Sequence, residues 1–401
     1  MIEGMKVLSF SHFVQGPAAS QYLADLGADV TKVEPFGGAW ERRAGSAGIR
    51  LGDTSVTFLS VNRNKKSIAV DLKHPDALRV LRPLIGTCDV LMENYRGGAL
   101  EKLGLGYEAV REIKPDIIYA SATGWGSSGP MAGKPGVDLL VQARSGLISV
   151  TGDAREGATA AGTPVADHHG AALLAMGVLA AYVRKLATGR GTRVQSSLLG
   201  AGLDLQAESL ALYYSGGKGQ DDVRRPGSLA AWFIDPPYGV YRLLDAHAVI
   251  ALSGAMDDFA AALGSAELAA FDQEARRTRR EEYTALLART LAGWTYRDLA
   301  ERLEPRGFWI ERVATYDDVR NDPQVAEEGL LMEMPVGDTH ATVLNHPIRY
   351  DGRLPELRTP PPELGEHTRP ALREAGFGDA EIDDLIASGV VASRENGAPR
   401  S

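Results

Sequence analysis

Asp167 is the side chain in this sequence that is best placed for covalent chemistry. It begins a long apolar segment, Asp167 to Ala187, whose pattern predicts a helix that is apolar on nearly all sides and central to a core. An aspartate there can be an N-cap, which accepts hydrogen bonds from free backbone amides. The same amides and the helix dipole favour its ionised form. Because an ionised, partly desolvated carboxylate can attack an activated carbonyl, Asp167 is a candidate nucleophile as well as a candidate cap.

A glycine-rich run, Gly124 to Gly129, follows a predicted strand at Ile117 to Ala122 and has the spacing of a dinucleotide-binding fingerprint. That fingerprint requires a helix to begin in the loop, so that the helix N-terminus meets the pyrophosphate. Two prolines and two glycines between positions 130 and 136 prevent this, which argues against nicotinamide or flavin binding. A glycine loop at the carboxyl end of a parallel strand still favours ligand binding, and its amides can hold an anionic oxygen.

The other reactive residue types do not form a second site in the sequence. His168 and His169 are adjacent and point to different faces of a helix, and no paired-cysteine or HxxxH spacing occurs, so we predict no metal site. Cys88 is the single cysteine and lies in an apolar stretch, which predicts a small core residue. Because the chain cannot form an internal disulfide, a reducing compartment and a cytoplasmic location are expected.

Composition limits the classes of partner. The 401 residues suggest two domains, and the 44% apolar and 24% charged content is that of a globular protein with a large core. A formal net charge of -9 argues against nucleic-acid binding, which needs clustered Lys and Arg. No apolar run is expected to reach the roughly 18 residues of a membrane helix, and the N-terminus shows no targeting signal, so no membrane is predicted.

Strand and helix patterns alternate through the early part of the chain. The unit of strand Lys6 to Phe10, helix Ala18 to Leu26 and strand Ala28 to Glu34 recurs as far as Ala122. Such alternation predicts an α/β fold with a Rossmann-like parallel sheet covered by helices. The pattern changes near residue 225, which predicts a large α/β domain at 1–200, a linker at 201–224, a smaller α+β domain at 225–325 and a C-terminal segment at 326–401.

Short motifs along nearly the whole chain, taken together and in order, resemble those of the family III CoA-transferases, the formyl-CoA transferase group. Each motif is weak alone, but the ordered set is specific. The motifs are Gln15–Pro17, Leu23–Val30, Lys32–Pro35, Asn62–Ile68, Asp71–Lys73, Glu93–Gly98, Leu103–Leu105, Thr123–Gly126, Gly129–Pro130, Asp167, Thr188–Gly191 and Leu364–Thr368.

The resemblance implies a fold, a partner and a substrate. In the family, the N-terminal α/β part and the C-terminal segment form one large domain, the smaller domain is inserted between them, and two chains interlock as a homodimer. The substrates are an acyl-CoA and a carboxylic acid, so coenzyme A is a substrate and no metal is needed. The family nucleophile falls on Asp167 by its spacing to Gly177 and to the Thr188–Gly191 turn.

The resemblance also implies binding residues. Lys73, Arg96 and Lys102 are natural partners for the phosphates of coenzyme A. Gln15 and the Gly124–Gly126 loop are candidates to stabilise an oxyanion. The positions that match CoA contacts of the family are Val14, Gln15, Val70, Asp71, Leu72, Lys73, Asn94, Tyr95, Arg96, Lys102, Thr123, Gly124, Trp125 and Gly126.

Four features depart from the family pattern. Ala171 stands in place of a glycine, Thr192 in place of a glutamine, and Pro35 where some members have a CoA-binding arginine. A glycine run is also missing near residues 229–234. Because that run lies over the active site in formyl-CoA transferase, its absence argues against formate and oxalate as substrates.

Two alternatives remain open. In the α-methylacyl-CoA racemases, which share the fold family, the aspartate forms an acid/base pair with the His of a Gly-His-Asp motif. The matching stretch here is Gly136–Asp138, with Val137 at the His position, and a valine carries no proton. His12 or His168 would have to take that role. The other alternative is a CoA-binding regulatory or carrier protein without turnover, against which Asp167 counts.

Overall fold

The computed structural model describes residues 1–43, 46–153, 156–223, 227–251 and 255–394, and the chain divides into two compact units. The first unit comprises 1–141, 164–205 and 323–401, and the second comprises 142–163 and 206–322. Residues 224 and 225, where the predicted linker ends and the predicted smaller domain begins, lie outside the described residues. Helices Leu198–Asp204 and Ala207–Ser215 occupy much of the rest of that linker.

A seven-stranded sheet organises the first unit. Neighbouring strands pair in parallel except the last in the chain, Val391–Ala392, which runs antiparallel to Lys65–Val70. The predicted α/β fold with a mostly parallel sheet is therefore confirmed. From edge to edge the strands are Val391–Ala392, Lys65–Val70, Asp29–Glu34, Lys6–Phe10, Val90–Glu93, Ile118–Thr123 and Thr192–Ser197.

The direction of sheet building reverses in the middle of this sheet. From Lys6–Phe10 the chain builds outward on one side through Asp29–Glu34 and Lys65–Val70, and then returns to add Val90–Glu93 on the other side. The connections that follow the two central strands therefore leave in opposite directions, and a crevice is expected between them at the carboxyl ends of the strands. Ligands of open parallel sheets bind at such a switch point.

Helices cover both faces of the sheet, because alternate side chains of each strand point to opposite faces and both sets are apolar. On one face, Leu91 and the single cysteine, Cys88, are buried with the helix Ala77–Thr87. Cys88 is thus the core residue that was predicted, and burial raises the pKa of its thiol to about 12. On the other face, two helices pack on the strands: Gln15–Asp25, called the first helix, and Val165–Thr188, called the long helix.

The long helix begins two residues before the predicted start and ends one residue after the predicted end. One side is a buried stripe of small and apolar residues, whereas Met176, Val183 and Leu186 on the remaining surface are 61%, 67% and 70% exposed. The prediction that core surrounds this helix is therefore wrong. Contrary to the sequence expectation, the helix is long enough and apolar enough to cross a membrane, judged by length and composition alone. The core helices of soluble proteins often satisfy the same two criteria.

The second unit is built around an antiparallel sheet of three strands, in the order Trp309–Arg312, His247–Ala251 and Gly239–Arg242. Phe259 and Leu287 are fully buried in its separate apolar core. The α-helices in the described part of this unit are Ala207–Ser215, Met256–Leu263, Ala266–Ala269, Gln273–Thr278, Arg280–Leu291, Tyr296–Leu303 and Tyr316–Asn321.

The C-terminal part of the chain packs on the central sheet of the first unit. The His367 N–H donates to the Ser67 carbonyl at 2.9 Å, and the Asp71 N–H donates to the Val390 carbonyl at 3.0 Å. The remaining helices that begin in the first unit are Trp40–Arg43, Val56–Ser60, Ala99–Lys102, Tyr107–Ile113, Asp138–Arg144, Pro323–Glu327, Thr368–Glu374 and Asp379–Ala387, and its hairpins are Arg50–Leu51 with Thr54–Ser55 and Leu331–Val336 with Thr339–Leu344.

Candidate active site

The crevice is lined by the two connections that follow its bordering strands. The connection after Lys6–Phe10 carries Val14 and Gln15, and the connection after Val90–Glu93 carries Asn94–Arg96. All five of these residues were expected to contact CoA. The fold thus brings together two sets that lie far apart in the sequence, because their strands are neighbours in the sheet.

Asn94 ties the two connections to each other. Its side-chain amide accepts from the His12 N–H at 2.9 Å and donates to the His12 carbonyl at 2.7 Å. Gly16 lies against the same side chain, since a Cβ there would be 3.0 Å from the Asn94 Cγ and 2.6 Å from the Ser11 Cβ. The close approach therefore requires glycine at position 16 and keeps Gln15 in a fixed place at the start of the first helix.

Asp167 is the third residue of the long helix, and it is not the N-cap. The cap position is Pro164, and the backbone N–H groups of Ala166 and Asp167 donate to the Asp138 Oδ2 at 2.7 and 3.1 Å. The prediction that Asp167 caps the helix is therefore wrong, because Asp138 occupies these amides. The two aspartates are 29 residues apart in sequence, so no local pattern revealed the contact.

The Asp167 carboxyl is held away from its usual ionisation range. Burial first, and then the negative charge of Asp138, raise its pKa to about 7, while a hydrogen bond from the Gln15 backbone N–H lowers it in part. The expectation that the helix dipole and free amides hold the charge fails here, since Asp138 has taken those amides. Near neutral pH, Asp167 therefore has both protonated and ionised forms, and only the ionised form is a nucleophile.

Gln15 presents a second donor beside Asp167. Its side chain is 3% exposed, and within the described residues its Nε2 has no hydrogen-bond partner. A Cβ at Gly170 would lie 2.5 Å from that nitrogen, so Gly170 leaves the space that the Gln15 amide occupies. Because Gly170 is three residues after Asp167, the two are on the same side of the long helix. Ala171, at the position where the family has a glycine, is buried next to Gly170.

The glycine-rich loop is a packed structure. The prediction that no helix begins within it is confirmed, since the next helix starts at Asp138. The Trp125 indole donates to the Pro135 carbonyl at 2.9 Å, and a Cβ at Gly124 would meet the Gly136 Cα at 2.6 Å. The Gly126 N–H donates to the Thr123 hydroxyl at 2.9 Å, so it would have to leave this bond to serve an oxyanion.

Two clefts of the first unit contain further predicted CoA-binding residues. Leu72, Lys73 and Lys102 line one cleft together with the apolar Leu78 and Leu81. This arrangement places two ammonium groups beside an apolar wall. Of the adjacent positions, the Val70 side chain is buried in the core, and the Asp71 carboxylate accepts from the Lys73 N–H at 3.0 Å.

The other cleft holds Arg96 and Thr123 together with Arg193 and a carboxyl group that the sequence analysis missed. That group is Glu93, the last residue of its strand, and burial raises its pKa to about 7. The Tyr95 N–H donates to Glu93 at 2.9 Å, so this carboxyl supports the connection that carries Asn94–Arg96. Its position at the carboxyl end of a parallel strand is the signal that could have identified it.

Of the two histidines that were considered as proton carriers, His12 is partly buried and His168 is more exposed. Burial lowers the pKa of His12 and of His168, which favours their neutral forms. His12 lies edge-on to the Tyr95 ring, with centroids 5.0 Å apart. Val137, at the position of the racemase histidine, is half exposed.

Comparison with known proteins gives consistent relatives. The family model described as CoA-transferase family III matches residues 2–368. The chain is 33% identical to succinyl-CoA:glutarate CoA-transferase of Mus musculus over 98% of this chain and 91% of that protein. It is 31% identical to the probable fatty acyl-CoA transferase Rv3272 of Mycobacterium tuberculosis over 91% of this chain and 96% of that protein. Among solved structures, a CAIB/BAIF family protein from Brucella suis superposes with a TM-score of 0.80 at 30% identity, over 93% of this chain and 98% of that chain.

Proposed function

This chain belongs to CoA-transferase family III, and from that premise we propose that it moves coenzyme A from an acyl-CoA donor to a carboxylic acid through a thioester on Asp167. The observation that carries the proposal is the partly buried Asp167 carboxyl near the Gln15 N–H, on the same side of the long helix as Gly170, where the buried Gln15 side-chain nitrogen has no hydrogen-bond partner within the described residues. A nucleophile and its oxyanion donors are the two parts that acyl transfer requires.

The first half of the reaction loads coenzyme A on the enzyme. The ionised Asp167 attacks the donor carbonyl, the C–S bond breaks, and a mixed anhydride and the CoA thiolate result. The thiolate then attacks the aspartyl carbonyl of the anhydride, and the donor acid leaves as its carboxylate. The enzyme now holds aspartyl-CoA, and one thioester has replaced another without a need for ATP.

The second half returns coenzyme A to a new acid. The acceptor carboxylate attacks the aspartyl thioester and releases the thiolate, which forms a second mixed anhydride. The thiolate attacks the acceptor's acyl carbonyl, so the product acyl-CoA forms and the Asp167 carboxylate is restored. Each attack passes through a tetrahedral oxyanion that needs preorganised donors, and the two N–H donors of Gln15 support this role. Gly124 stays a candidate for a third donor.

The proposed binding site for coenzyme A extends from the cleft of Lys73 and Lys102 to Asp167. The two ammonium groups in one cleft suit the phosphates of the nucleotide end. In this proposal, coenzyme A next passes Asn94–Arg96. Asn94 joins their connection to the one that carries Gln15, through its two hydrogen bonds with His12. Val14 and Trp125 complete the proposed contact set.

The acids to test come from the names of the relatives. These include succinyl-CoA with glutarate, mesaconate or L-malate, and a probable fatty acyl-CoA transferase. We propose that donor and acceptor lie within these two classes, dicarboxylates and fatty acids. An acyl-CoA panel incubated with pooled free acids, and read by mass spectrometry of the CoA products, identifies the pair.

The covalent step has a direct test. Incubation with an acyl-CoA donor and no acceptor should leave coenzyme A on Asp167, because the thiolate has no other acid to attack. Borohydride should then convert that residue to homoserine and hydroxylamine should convert it to a hydroxamate, each seen as a mass change on one peptide. A racemase would instead exchange the α-hydrogen of a 2-methylacyl-CoA with deuterium from solvent. An unmodified Asp167 peptide together with rapid α-deuteration would make the racemase the better assignment.

Asp167→Ala should abolish transfer while CoA binding and folding persist. Folding should persist because Asp138, rather than Asp167, occupies the first amides of the long helix. The matched control is Asp204→Ala, which removes an exposed carboxylate paired with His169 at 2.7 Å. Turnover by Asp167→Ala equal to that of wild type would contradict the nucleophile assignment.

The proposal includes an interlocked homodimer with an inserted smaller domain, in a cytoplasmic location. The support for a partner is the apolar exposed side of the long helix, which a second copy would cover. A CoA-binding protein without turnover remains the alternative from another class, and simultaneous measurement of CoA binding and of transfer separates the two.

A further inference from the structure

The connection between the first strand and the first helix is held by side chains from several elements. The Lys32 ammonium donates to the Ser11 carbonyl, Asn94 holds both backbone groups of His12, and Glu41 Oε2 accepts from the Phe13 N–H at 3.0 Å. The connection then ends at Gln15, whose buried side-chain nitrogen occupies the space beside Gly170 of the long helix and whose backbone N–H lies close to the Asp167 carboxyl. Three successive residues are thus fixed just before the one that contacts the nucleophile.

Lys32 and Glu41 form a buried ion pair beneath this connection. Their charged atoms are 3.0 Å apart, and the side chains are 1% and 0% exposed. Charges buried to this degree cannot separate without a large desolvation cost, so each fixes the other. Glu41 therefore uses one oxygen for Lys32 and the other for the Phe13 N–H.

The helix that carries Glu41, Trp40–Arg43, is itself anchored by a second buried pair. Arg42 donates two hydrogen bonds to Glu34, at 2.6 and 2.7 Å, and Glu34 also accepts from the Ala39 N–H at 3.1 Å. Because Glu34 is the last residue of a central-sheet strand, the anchor connects Glu41 to the sheet.

Phe13 is the residue that needs this support. Its φ of 62° lies in the left-handed region, which disfavours side chains other than glycine. Such a conformation persists only where its surroundings determine it, and these positions concentrate at functional sites. Here the surroundings are the Glu41 carboxylate and the Trp40 ring, whose centroid is 4.7 Å from that of Phe13.

We propose that Glu41, paired with Lys32, is a positioning residue: it holds Phe13 in the left-handed conformation and so places the Gln15 N–H against the Asp167 carboxyl. The inference rests on the proposed function in one respect, that Asp167 is the nucleophile. Glu41 does not touch the reacting atoms. Its effect reaches Asp167 through the four-residue segment from Ser11 to Val14.

The test removes both charges together, so that neither is left buried alone. Lys32→Met/Glu41→Leu replaces the pair with apolar side chains of similar size, a change that buried ion pairs often tolerate. The control is Asp25→Asn at the opposite end of the first helix, which weakens another buried pair, with Arg63 at 2.6 Å. Both proteins are compared with wild type by thermal denaturation, by steady-state kinetics over pH and by titration of Asp167.

The double variant should lose roughly tenfold in kcat, with less than a roughly threefold change in KM for the acyl-CoA, since a weakened oxyanion donor acts on the transition state. The acid limb of its kcat profile should move to higher pH, because less of the Gln15 hydrogen bond remains to favour the ionised Asp167. The other groups near Asp167 are Asp138 from the facing helix and His168 on the long helix, and both are unchanged. Asp25→Asn should lower the melting temperature without moving the limb.

A readout independent of turnover keeps this inference separate from the proposed function. Carbodiimide with an amine labels protonated carboxyls, so labelling of the Asp167 peptide against pH, read by mass spectrometry, titrates that group directly. A folded double variant with wild-type kcat and wild-type titration would overturn the inference. A shifted titration in a protein whose wild type transfers no CoA would instead reject the proposed function. If the double variant does not fold, Glu41→Gln, which keeps one oxygen for the Phe13 N–H, should give a smaller shift in the same direction, and no shift would again overturn the inference.

Discussion

Two aspartates meet at the start of the long helix: Asp138, which begins the preceding helix, and Asp167, which belongs to the long helix itself. Asp138 takes the helix amides that the sequence pattern assigns to Asp167, and adds its own negative charge nearby. Asp167 is left partly buried, with a pKa of about 7. A carboxyl of this kind is a stronger base than an ordinary aspartate once ionised, and its ionised fraction near neutral pH depends on its neighbour.

Asp138→Asn should therefore move the acid limb of kcat to lower pH. The asparagine keeps an oxygen for the two amides but removes the charge that raises the pKa of Asp167. In wild type the folded pKa of Asp167 is above its unfolded value, so folding stability falls as pH rises from about 4 to about 7. The variant should lose less stability across that window. Activity profiles and melting temperatures at pH 5 and pH 8 check both effects, and a limb that stays in place would contradict the role given to Asp138.

Gly170→Ala should reduce kcat by about tenfold or more, because the new Cβ would occupy the space of the Gln15 side-chain nitrogen. The matched control on the same helix is Gly177→Ala, whose Cβ would meet the Cγ1 of the partly buried Val194 at 2.9 Å, away from Gln15. Both changes raise helix propensity, so a loss of turnover confined to Gly170→Ala cannot come from the helix backbone. Equal kcat values for the two variants would contradict the proposed role of the Gln15 side chain as an oxyanion donor.

The sequence names Asp167 and Gln15 as candidates, but it does not reveal Asp138, whose charge raises the pKa of Asp167. Motif order and helix pattern both point to Asp167, whereas its contact with Asp138 connects residues 29 positions apart. The departure at Ala171 shows the same limit. Only the structure reveals that Gly170 already supplies the space, because the requirement comes from Gln15 on another helix.

At the scale of elements, the site consists of connections that follow the carboxyl ends of strands. The alternating pattern predicted parallel strands with helices between them, since βαβ units pair in no other common way. It did not predict that Lys6–Phe10 pairs with Val90–Glu93, because strand order is set by packing between distant segments. The crevice, and the joining of His12 to Asn94 within it, follow from that one pairing.

Lys73 and Lys102 line the same cleft, between two connections that follow different strands. If the residue contacts the 3′-phosphate, Lys73→Ala or Lys102→Ala should weaken the binding of CoA more than the binding of dephospho-CoA. The expected loss is about 1.5–3 kcal/mol, or roughly 10- to 150-fold in Kd. Lys218→Ala, at an exposed lysine of the second unit, is the control. Isothermal titration calorimetry with both ligands checks this prediction. Equal weakening of the binding of both ligands would place the lysine at the pyrophosphate, and unchanged affinity for both would mean that the lysine does not contact coenzyme A.

At the scale of the whole molecule, the long helix has one packed side and one apolar side without cover in the single chain. The sequence could not distinguish a core helix from one that a second chain covers, because both require apolar residues on all sides. In the single chain, one side of the helix buries small residues whereas Met176, Val183 and Leu186 are exposed, which favours a helix that a second chain covers.

Light scattering should therefore give twice the 42.8 kDa mass of one chain. Val183→Glu should shift the protein towards the single-chain mass and lower its melting temperature, since it would bury a charge in the proposed contact. Tyr316→Glu, at a residue 90% exposed in the second unit, should change neither. A wild-type protein with the mass of one chain would exclude the dimer.

The strand Val391–Ala392 has a consequence for the order in which the central sheet is completed during synthesis. The Asp71 N–H, in the segment that leads to Lys73, finds its partner in the Val390 carbonyl. A ribosome has translated Asp167, Gln15 and every other strand of the central sheet long before it reaches Val390. A nascent chain can therefore hold Asp167, the proposed nucleophile, against a nearly complete sheet while the segment that leads to Lys73 is still unanchored. A chain truncated before residue 390 should therefore keep most of its fold and bind coenzyme A more weakly if Lys73 contacts the ligand as proposed.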